Sequence, residues 1–407
     1  MAEPALYLDL HAAASSYTGQ GVSVRGYLHY LTRRNLAIRL QDLSPGGGRE
    51  GFAAHYAHLE TALAAPCSPG VWLHVGGGGV ISQGTVQHIE WAQQRHHAAA
   101  YQLWWELPVL GAEVVARLER FDAVIAATRF IADVARRHLR RPAVLYAPQP
   151  LAMAEAPRPA PNRARFGIPA DAVAILYSFD PSSDLARKNP QAALAAFRQA
   201  AAQAPRLHLV VKLMLQRKSR EALRSQLEWL YAAAAADPRI RVIEDALNDD
   251  DLHILMASCD AYLSLHRAEG LGLGMLEAMH LGLPVVATAY SGNMSFMDAN
   301  SACLVPFDLV PVQGTSLSTY TNLALLGPQW AEPDVDVAAD HLARLGNDAA
   351  WRSARGLAAA KAAATYQQEA VRLEWLDELT RIAATRWAQK SLLGRILHKL
   401  SKPRPRQ

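Results

Sequence analysis

The chain has 407 residues, 51% of them apolar, enough for two or three domains that each bury a core. Its net charge is only +4, so it lacks the overwhelming basic excess of a dedicated nucleic-acid binder, and no nucleic-acid partner is expected. Three cysteines, Cys67, Cys259 and Cys303, are few, odd in number and far apart, which argues for a reducing compartment without a disulfide framework or a cysteine zinc site.

Met1-Ala2-Glu3-Pro4 is acidic and leads into a short strand over 6–10, so a secretory signal is not expected. No apolar run approaches the roughly 18 residues that span a bilayer. After the first strand comes a polar loop, 11–21, containing Gly19-Gln20-Gly21, then a helix over about 22–34. Strands follow at 71–75, 99–103, 123–126 and 143–146, and Thr128 is placed to cap a helix over 129–139. Residues 154–165, with Pro157, Pro159 and Pro161, read as a linker.

The pattern then restarts: strand 173–179, helix 190–202, strand 207–213, helix 219–235, strand 240–243, helix 250–257. Alternation of this kind specifies a parallel sheet covered on both faces. The expected fold class is therefore α/β, with two doubly wound Rossmann-like domains facing each other across a cleft. Ligands of such sheets bind outside the carboxyl ends of the strands. Residues 306–333 read as irregular, and two or more helices are expected over about 335–400.

The region with most chemistry follows an apolar strand, 261–265. It runs from His266 to Asn293 and holds Glu269 and Glu277, separated by seven residues that include Gly270, Gly272 and Gly274. A helix over 275–281 and a second strand, 285–288, come next, and that strand ends in Ser291-Gly292-Asn293. Glycine backbone running into a helix start suits an anion, because the first N–H groups of a helix are unpaired and the dipole is positive there. Gly270, Leu271 and Gly272 would supply that backbone. Carboxylates, as pure acceptors, suit a ribose or a sugar. Arg187 and Lys188 stand before Asn189-Pro190, a helix start; two cations there oppose the helix dipole unless an anion is bound. Lys212 ends a strand and stands open to two readings, a cleft residue or a solvated one.

These residues resemble the E-x7-E motif of retaining glycosyltransferases of family 4, which have the GT-B architecture. Ser264-Leu265-His266-Arg267, Ser291-Gly292-Asn293-Met294 and Trp104-Trp105-Glu106-Leu107-Pro108 are similar to the bacterial mannosyltransferase-like branch. The likeness is strong over roughly 170–300. One departure is that a frequent Gly-Arg pair after the first strand of the second domain is replaced by Ser178-Phe179-Asp180-Pro181. The resemblance implies an acceptor domain over 1–155, joined by a helix at about 370–400 that crosses back to it, and a donor domain over 166–369. It further implies that Glu277 binds the ribose, with Ser291 and Asn293 beside the donor, that Glu269 lies near the transferred sugar, and that Arg187 and Lys188 hold the diphosphate. The implied reaction is metal-independent transfer of a hexose from a nucleotide-diphosphate sugar, with GDP-mannose as the suggested donor, to a polysaccharide or lipid-linked glycan. No separate cofactor is implied.

Other readings stay open beside it. A GT-B phosphorylase, an epimerase and a non-catalytic partner subunit share the architecture. Asp249-Asp250-Asp251 contains Asp-x-Asp, a metal-holding pattern, but at a helix start it reads as a cap. Gly76-Gly77-Gly78-Gly79 and Gly19–Gly21 are either flexible turns or loops that admit a ligand. Glu106, beside two tryptophans, is either a sugar contact or a cap on an aromatic pair.

The charge is uneven. Eight Lys and Arg and no acid lie after residue 380, so the body before them is mildly acidic. Leu392, Leu393, Ile396, Leu397 and Leu400 form one helical stripe among Lys390, Arg395, Lys399 and Lys402. The protein is expected to be cytoplasmic; residues 386–407 either pack on the first domain or touch an anionic membrane surface, and the second reading would make it peripheral on the inner face of the membrane.

Overall fold

Two six-stranded parallel sheets organise the computed structural model, which describes residues 6–16, 18–44, 56–59, 69–76, 83–95, 97–214, 220–315, 322–323 and 326–400. The chain divides into two units: Met1–Trp105, Leu110–Ala152 and Glu369–Gln407 form one, Glu106–Val109 and Met153–Gln368 the other.

In the first unit the strands are β1 (Leu6–Ala12), β2 (Leu36–Asp42), β3 (Gly70–Val75), β4 (Ala98–Leu103), β5 (Ala123–Ala126) and β6 (Ala143–Tyr146), in the order β2-β1-β3-β4-β5-β6. β1 and β4 are buried along their whole length, as expected of strands covered on both faces. Helices α1 (Gly19–Leu31), α2 (Gln83–Gln94), α3 (Ala112–Leu118) and α4 (Arg129–His138) connect them. The Thr128 side chain caps α4 by accepting from the Ile131 N–H at 3.3 Å.

Two expectations change here. β2, which sequence patterning missed, is an edge strand with only two of seven residues buried. Gly19 and Gly21 lie in the first turn of α1 instead of in a loop. Thr18 caps that turn, and a β-carbon on Gly21 would sit 2.3 Å from the Ser16 carbonyl oxygen, so the close approach requires glycine.

The second unit contains β7 (Val173–Phe179), β8 (Leu207–Leu213), β9 (Ile240–Ile243), β10 (Ala261–Ser264), β11 (Val285–Thr288) and β12 (Cys303–Val305), in the order β12-β11-β10-β7-β8-β9. Its helices are α5 (Leu185–Lys188), α6 (Pro190–Gln203), α7 (Arg220–Gln226), α8 (Glu228–Ala236), α9 (Asp249–Ala257), α10 (Leu273–His280), α11 (Val335–Asn347) and α12 (Ala349–Ala370). Val173, Ile175, Phe197, Leu209, Leu263 and Leu342 belong to one apolar core. The chain winds outward from β7 through β8 and β9, then returns to β10 on the other side of β7. The switch point thus falls between β7 and β10, and the segments after these two strands emerge side by side.

Three further expectations are corrected in this unit. The helix expected over 219–235 is broken at Leu227, whose side chain turns wholly into the core. Residues 306–333 are not irregular throughout: β13 (Phe307–Pro311) and β14 (Gln329–Pro333) pair as an antiparallel hairpin. The proline-rich stretch 154–165 is anchored, since Arg163 donates to Asp260 Oδ2 at 2.6 Å and Asn162 N–H to Ser258 Oγ at 2.7 Å.

The last helix, α13 (Trp375–Leu400), packs on β3, β4 and β6 of the first unit. Trp375, Leu376, Leu379 and Ala383 are buried, and Trp375 meets Tyr27 edge to face at 5.9 Å. No helix among the described residues is long and apolar enough to cross a membrane.

Candidate functional site

The segment after β10 carries Glu269 into the switch point of the second sheet. Its backbone is stitched to the segment after β11: Glu269 N–H donates to Ser291 Oγ at 2.8 Å, and Gly292 N–H donates to the Glu269 carbonyl at 2.9 Å. Gly292 must be glycine for this, because a β-carbon would fall 2.1 Å from the Gly270 carbonyl oxygen. Ser291 holds φ 73°, an uncommon region for a side-chain-bearing residue, and its hydroxyl donates to the Tyr290 carbonyl. Gly272, at φ 84°, opens α10. The first N–H groups of α10 have no helical partner, so that end is electropositive.

The segment after β7 brings the cations. Asp180 accepts from Ser182 N–H and caps a short 3-10 turn where the Gly-Arg pair is missing. Asp184, at φ 89° and buried, accepts from the N–H groups of Ala186 and Arg187 and from the Thr315 hydroxyl. Arg187 and Lys188 thus close α5, a single turn of their own, and α6 starts separately at Pro190. The expected conflict of these cations with a helix N-terminus does not arise, because they stand at a C-terminal turn, where positive charge is favoured.

Both cations meet Glu269. Arg187 Nη1 lies 3.3 Å from Glu269 Oε1, and the Lys188 ammonium contacts the same oxygen. Arg187 also donates to the Ala268 carbonyl at 2.9 Å and the Ser183 carbonyl at 3.0 Å. Burial pushes the Glu269 carboxyl up, but Lys188 and Arg187 outweigh it and hold it down to about 2. The triad carries a net single positive charge, next to the start of α10.

Glu277 lies in α10, 5% exposed, with Oε1 3.5 Å from Nε2 of His253 on α9. Tyr262 lies near both glutamates: burial first, then the charges of Glu277 and Glu269, push its phenol well up. Lys212 stands on β8 in register with Ser178, donates to the Leu213 carbonyl at 2.6 Å and is 6% exposed. Burial lowers its ammonium to about 8, against the opposing pull of Asp245.

Asn293 is fully buried and its amide is already used within the protein. Its Oδ1 lies 3.1 Å from His266 Nε2, and its Nδ2 donates to the Thr288 carbonyl at 3.0 Å. His266 Nδ1 is in turn 3.0 Å from Ser264 Oγ, so these side chains fix the turn that presents Glu269. Asn248 caps α9 by accepting from Asp251 N–H at 2.7 Å, and Asp251 pairs with Arg165 at 2.6 Å.

The structure therefore brings together Glu269, Arg187, Lys188, Ser291 and the 270–272 backbone, with Glu277 on the same helix and Lys212 on the neighbouring strand of β7. Gly19 and Gly21 belong to the first unit. Glu106 follows the buried Trp104 and Trp105, and its segment groups with the second unit. Gly77, Gly78 and Gly79 lie outside the described residues.

Sequence reasoning missed four residues that shape the site: Asp184, His253, Arg267 and Glu332. Arg267 makes two bonds to the basic segment and one to the hairpin. Its N–H donates to the Arg187 carbonyl at 2.8 Å, its Nη1 to the Ala186 carbonyl at 2.6 Å and its Nε to Glu332 Oε2 at 2.6 Å. Glu332, on β14, also accepts from Asn189 Nδ2 at 3.3 Å. A spacing pattern gives no sign of a partner 65 residues away.

Residues 181–308, which carry both glutamates and both cations, match the family model described as glycosyl transferases group 1. No curated protein sequence matches the chain. Among solved structures, Anabaena HepE in complex with UDP and glucose is 14% identical, with 94% of this chain and 99% of that one covered and a TM-score of 0.62. The sucrose-phosphate synthase of Thermosynechococcus elongatus is 17% identical, over 97% and 100% of the chains, at a TM-score of 0.58. The GtfA/B complex is 18% identical at a TM-score of 0.52, covering 78% of this chain, which spans only 58% of that one. The fold is thus GT-B, two Rossmann-like units, and the segment similar to glycosyl transferases group 1 lies in the second of them.

Proposed function

We propose that the protein is a glycosyltransferase that takes a hexose from a nucleoside-diphosphate sugar and passes it on with retention of configuration. The observation that carries this is the pairing of Glu269 with Arg187 and Lys188 beside the first turn of α10. The cations and the first N–H groups of α10 offer a place for a diphosphate, which gains negative charge as the sugar bond breaks. Fixed positive groups stabilise that charge without reorganising.

Glu269 is held as a carboxylate far below neutral pH, so it is a poor proton acceptor. Its part is to accept sugar hydroxyls and keep Lys188 and Arg187 in place. In the retaining reading the acceptor attacks from the face the diphosphate leaves, and a phosphate oxygen takes the acceptor proton. No protein nucleophile is then needed. Glu277 would accept from the ribose hydroxyls, Ser291 would hold the Glu269 backbone, and the Asn293 amide would brace the turn. Glu106 and the Gly19–Gly21 turn of the first unit are proposed as further substrate contacts.

The resemblance suggests mannose on GDP, while HepE is in complex with UDP and glucose; the donor class is the same. A polysaccharide or lipid-linked glycan is the proposed acceptor. The basic end beyond Arg386 would meet an anionic membrane surface from the cytoplasmic side.

Calorimetry with UDP and GDP tests the donor site first. Glu277→Ala is expected to weaken the nucleotide that binds by about 1.5–3 kcal/mol, the range for a hydrogen bond to a charged group. Unchanged affinity would reject the ribose assignment. A screen of purified protein against UDP-glucose, GDP-mannose and other nucleotide sugars then identifies the donor. Phosphate-dependent turnover without nucleotide would favour a phosphorylase, and nucleotide binding without turnover a partner subunit.

A further inference from the structure

Glu277 has a neighbour that no motif announces. His253 projects from α9 so that its Nε2 lies 3.5 Å from Glu277 Oε1, with side chains only 14% and 6% exposed. A carboxylate that must accept from two adjacent hydroxyls needs its plane fixed, and a glutamate on a helix has three rotatable bonds that oppose this. We propose that His253 is a positioning residue for the nucleotide: its imidazole orients the Glu277 carboxylate toward the ribose diol and makes nucleotide affinity depend on pH. The proposal rests on the donor-site reading above.

The surroundings set the sign. Asp249 and Asp250 in the first turn of α9 add negative charge near His253. On the other side lies His280 of α10, where burial first, then the charges of His253 and Arg158, push the proton off below the ordinary imidazole value, so His280 adds little opposing charge as pH rises. Burial opposes protonation of His253, but the Glu277 bond and the charges of Glu277, Asp249 and Asp250 outweigh it, so the proton is held above the ordinary imidazole value. As pH rises through that point the imidazole becomes neutral. Glu277 then loses a charged hydrogen-bond partner, and nucleotide binding weakens.

The test is calorimetry of the full chain with UDP and with GDP between pH 6 and 9, comparing wild type, His253→Gln and His253→Ala. For the nucleotide that binds, the wild-type Kd is expected to rise about three- to tenfold across this range, the worth of one charge-assisted hydrogen bond over a neutral one. Titration of the nucleotide's own phosphate is common to all three proteins and cancels in the comparison. His253→Gln keeps a neutral donor, so it should lose the His253-dependent step and lie near the wild-type value at high pH. His253→Ala should bind more weakly still. With the nucleotide sugar, donor KM should rise in His253→Gln while kcat at saturation changes less than about twofold. A His253→Gln protein that keeps the wild-type melting temperature and traces the wild-type Kd curve overturns the positioning role. If neither nucleotide binds wild type, the donor reading itself falls, and this inference with it. If nucleotide binds and Glu277→Ala weakens it while His253→Gln does not, only the role of His253 is rejected.

Discussion

Arg267 Nε donates to Glu332 Oε2 across 2.6 Å, and this bond ties the β13–β14 hairpin to the turn that carries Arg187 and Lys188. The same arginine bonds the carbonyls of Ala186 and Arg187, and Glu332 also holds Asn189. Glu332 lies outside the segment 181–308 that matches the family model. Its partners are half-buried, so the bond is only partly screened. Glu332→Ala should lower kcat/KM for the nucleotide sugar about fivefold, corresponding to about 1 kcal/mol, by loosening the cations without touching the fold. Steady-state kinetics and a melting curve check it; a lost fold with normal kinetics in the surviving fraction would mean the hairpin is structural only.

Glu269 links the site to stability. Its folded carboxyl is depressed to about 2, below the unfolded value, so its contribution is complete above that unfolded value and is lost as pH falls toward 2. Glu269→Gln leaves the buried Arg187 and the half-buried Lys188 without their charge partner, a loss of about 2–4 kcal/mol near neutral pH. The gap in melting temperature between wild type and Glu269→Gln should be constant from pH 7 to about 5, then narrow toward pH 3.5. A gap that stays constant over the whole range would mean the ion pair is not what stabilises this turn.

Turnover is predicted to survive a chelator. Arg187, Lys188 and the start of α10 already supply positive charge for a diphosphate, and Asp251 of the Asp-x-Asp run is engaged by Arg165. Activity in excess EDTA should match that in Mg²⁺. Loss restored by Mg²⁺ or Mn²⁺ would return Asp249–Asp251 to the site.

The two sheets and the two glutamates were readable because their signals are local. Strands β3 to β11 are short apolar runs spaced by helices, and Glu269 and Glu277 stand among glycines that only a turn would need. What was misread depends on distant contacts. Gly19 and Gly21 are poor helix formers, yet a Thr18 cap and the close approach of Ser16 place them inside α1. β2 is an edge strand with only Ile38 and Leu40 buried, and β13 is largely exposed, so neither offers the continuous apolar run of a central strand. Asp184 at φ 89° and His253 against Glu277 are consequences of packing that no spacing encodes.

The basic tail sets packing against membrane contact within one helix. Its first half is committed: Trp375, Leu379 and Ala383 are buried, and Arg386 Nε donates to Asp122 Oδ1 at 2.9 Å, while Asp122 Oδ2 accepts from Ala99 N–H. Arg386 is thus spent on the first unit and is a poor candidate for a lipid contact. The backbone of α13 continues to Leu400, but the side chains from Lys390 on, including the Leu392–Leu400 stripe, and residues 401–407 lie outside the described residues. Each Lys or Arg near an anionic leaflet contributes about 1 kcal/mol, so the basic residues from Lys390 on would suffice for reversible binding. Removing residues 391–407 should abolish sedimentation with phosphatidylserine vesicles at low salt and leave activity on a soluble acceptor within about twofold, because the Arg386–Asp122 pair and the buried half of α13 remain. Arg386→Ala should do the reverse, lowering the melting temperature with vesicle binding intact. Failure of the full-length protein to sediment would show that the tail has no affinity for an anionic surface.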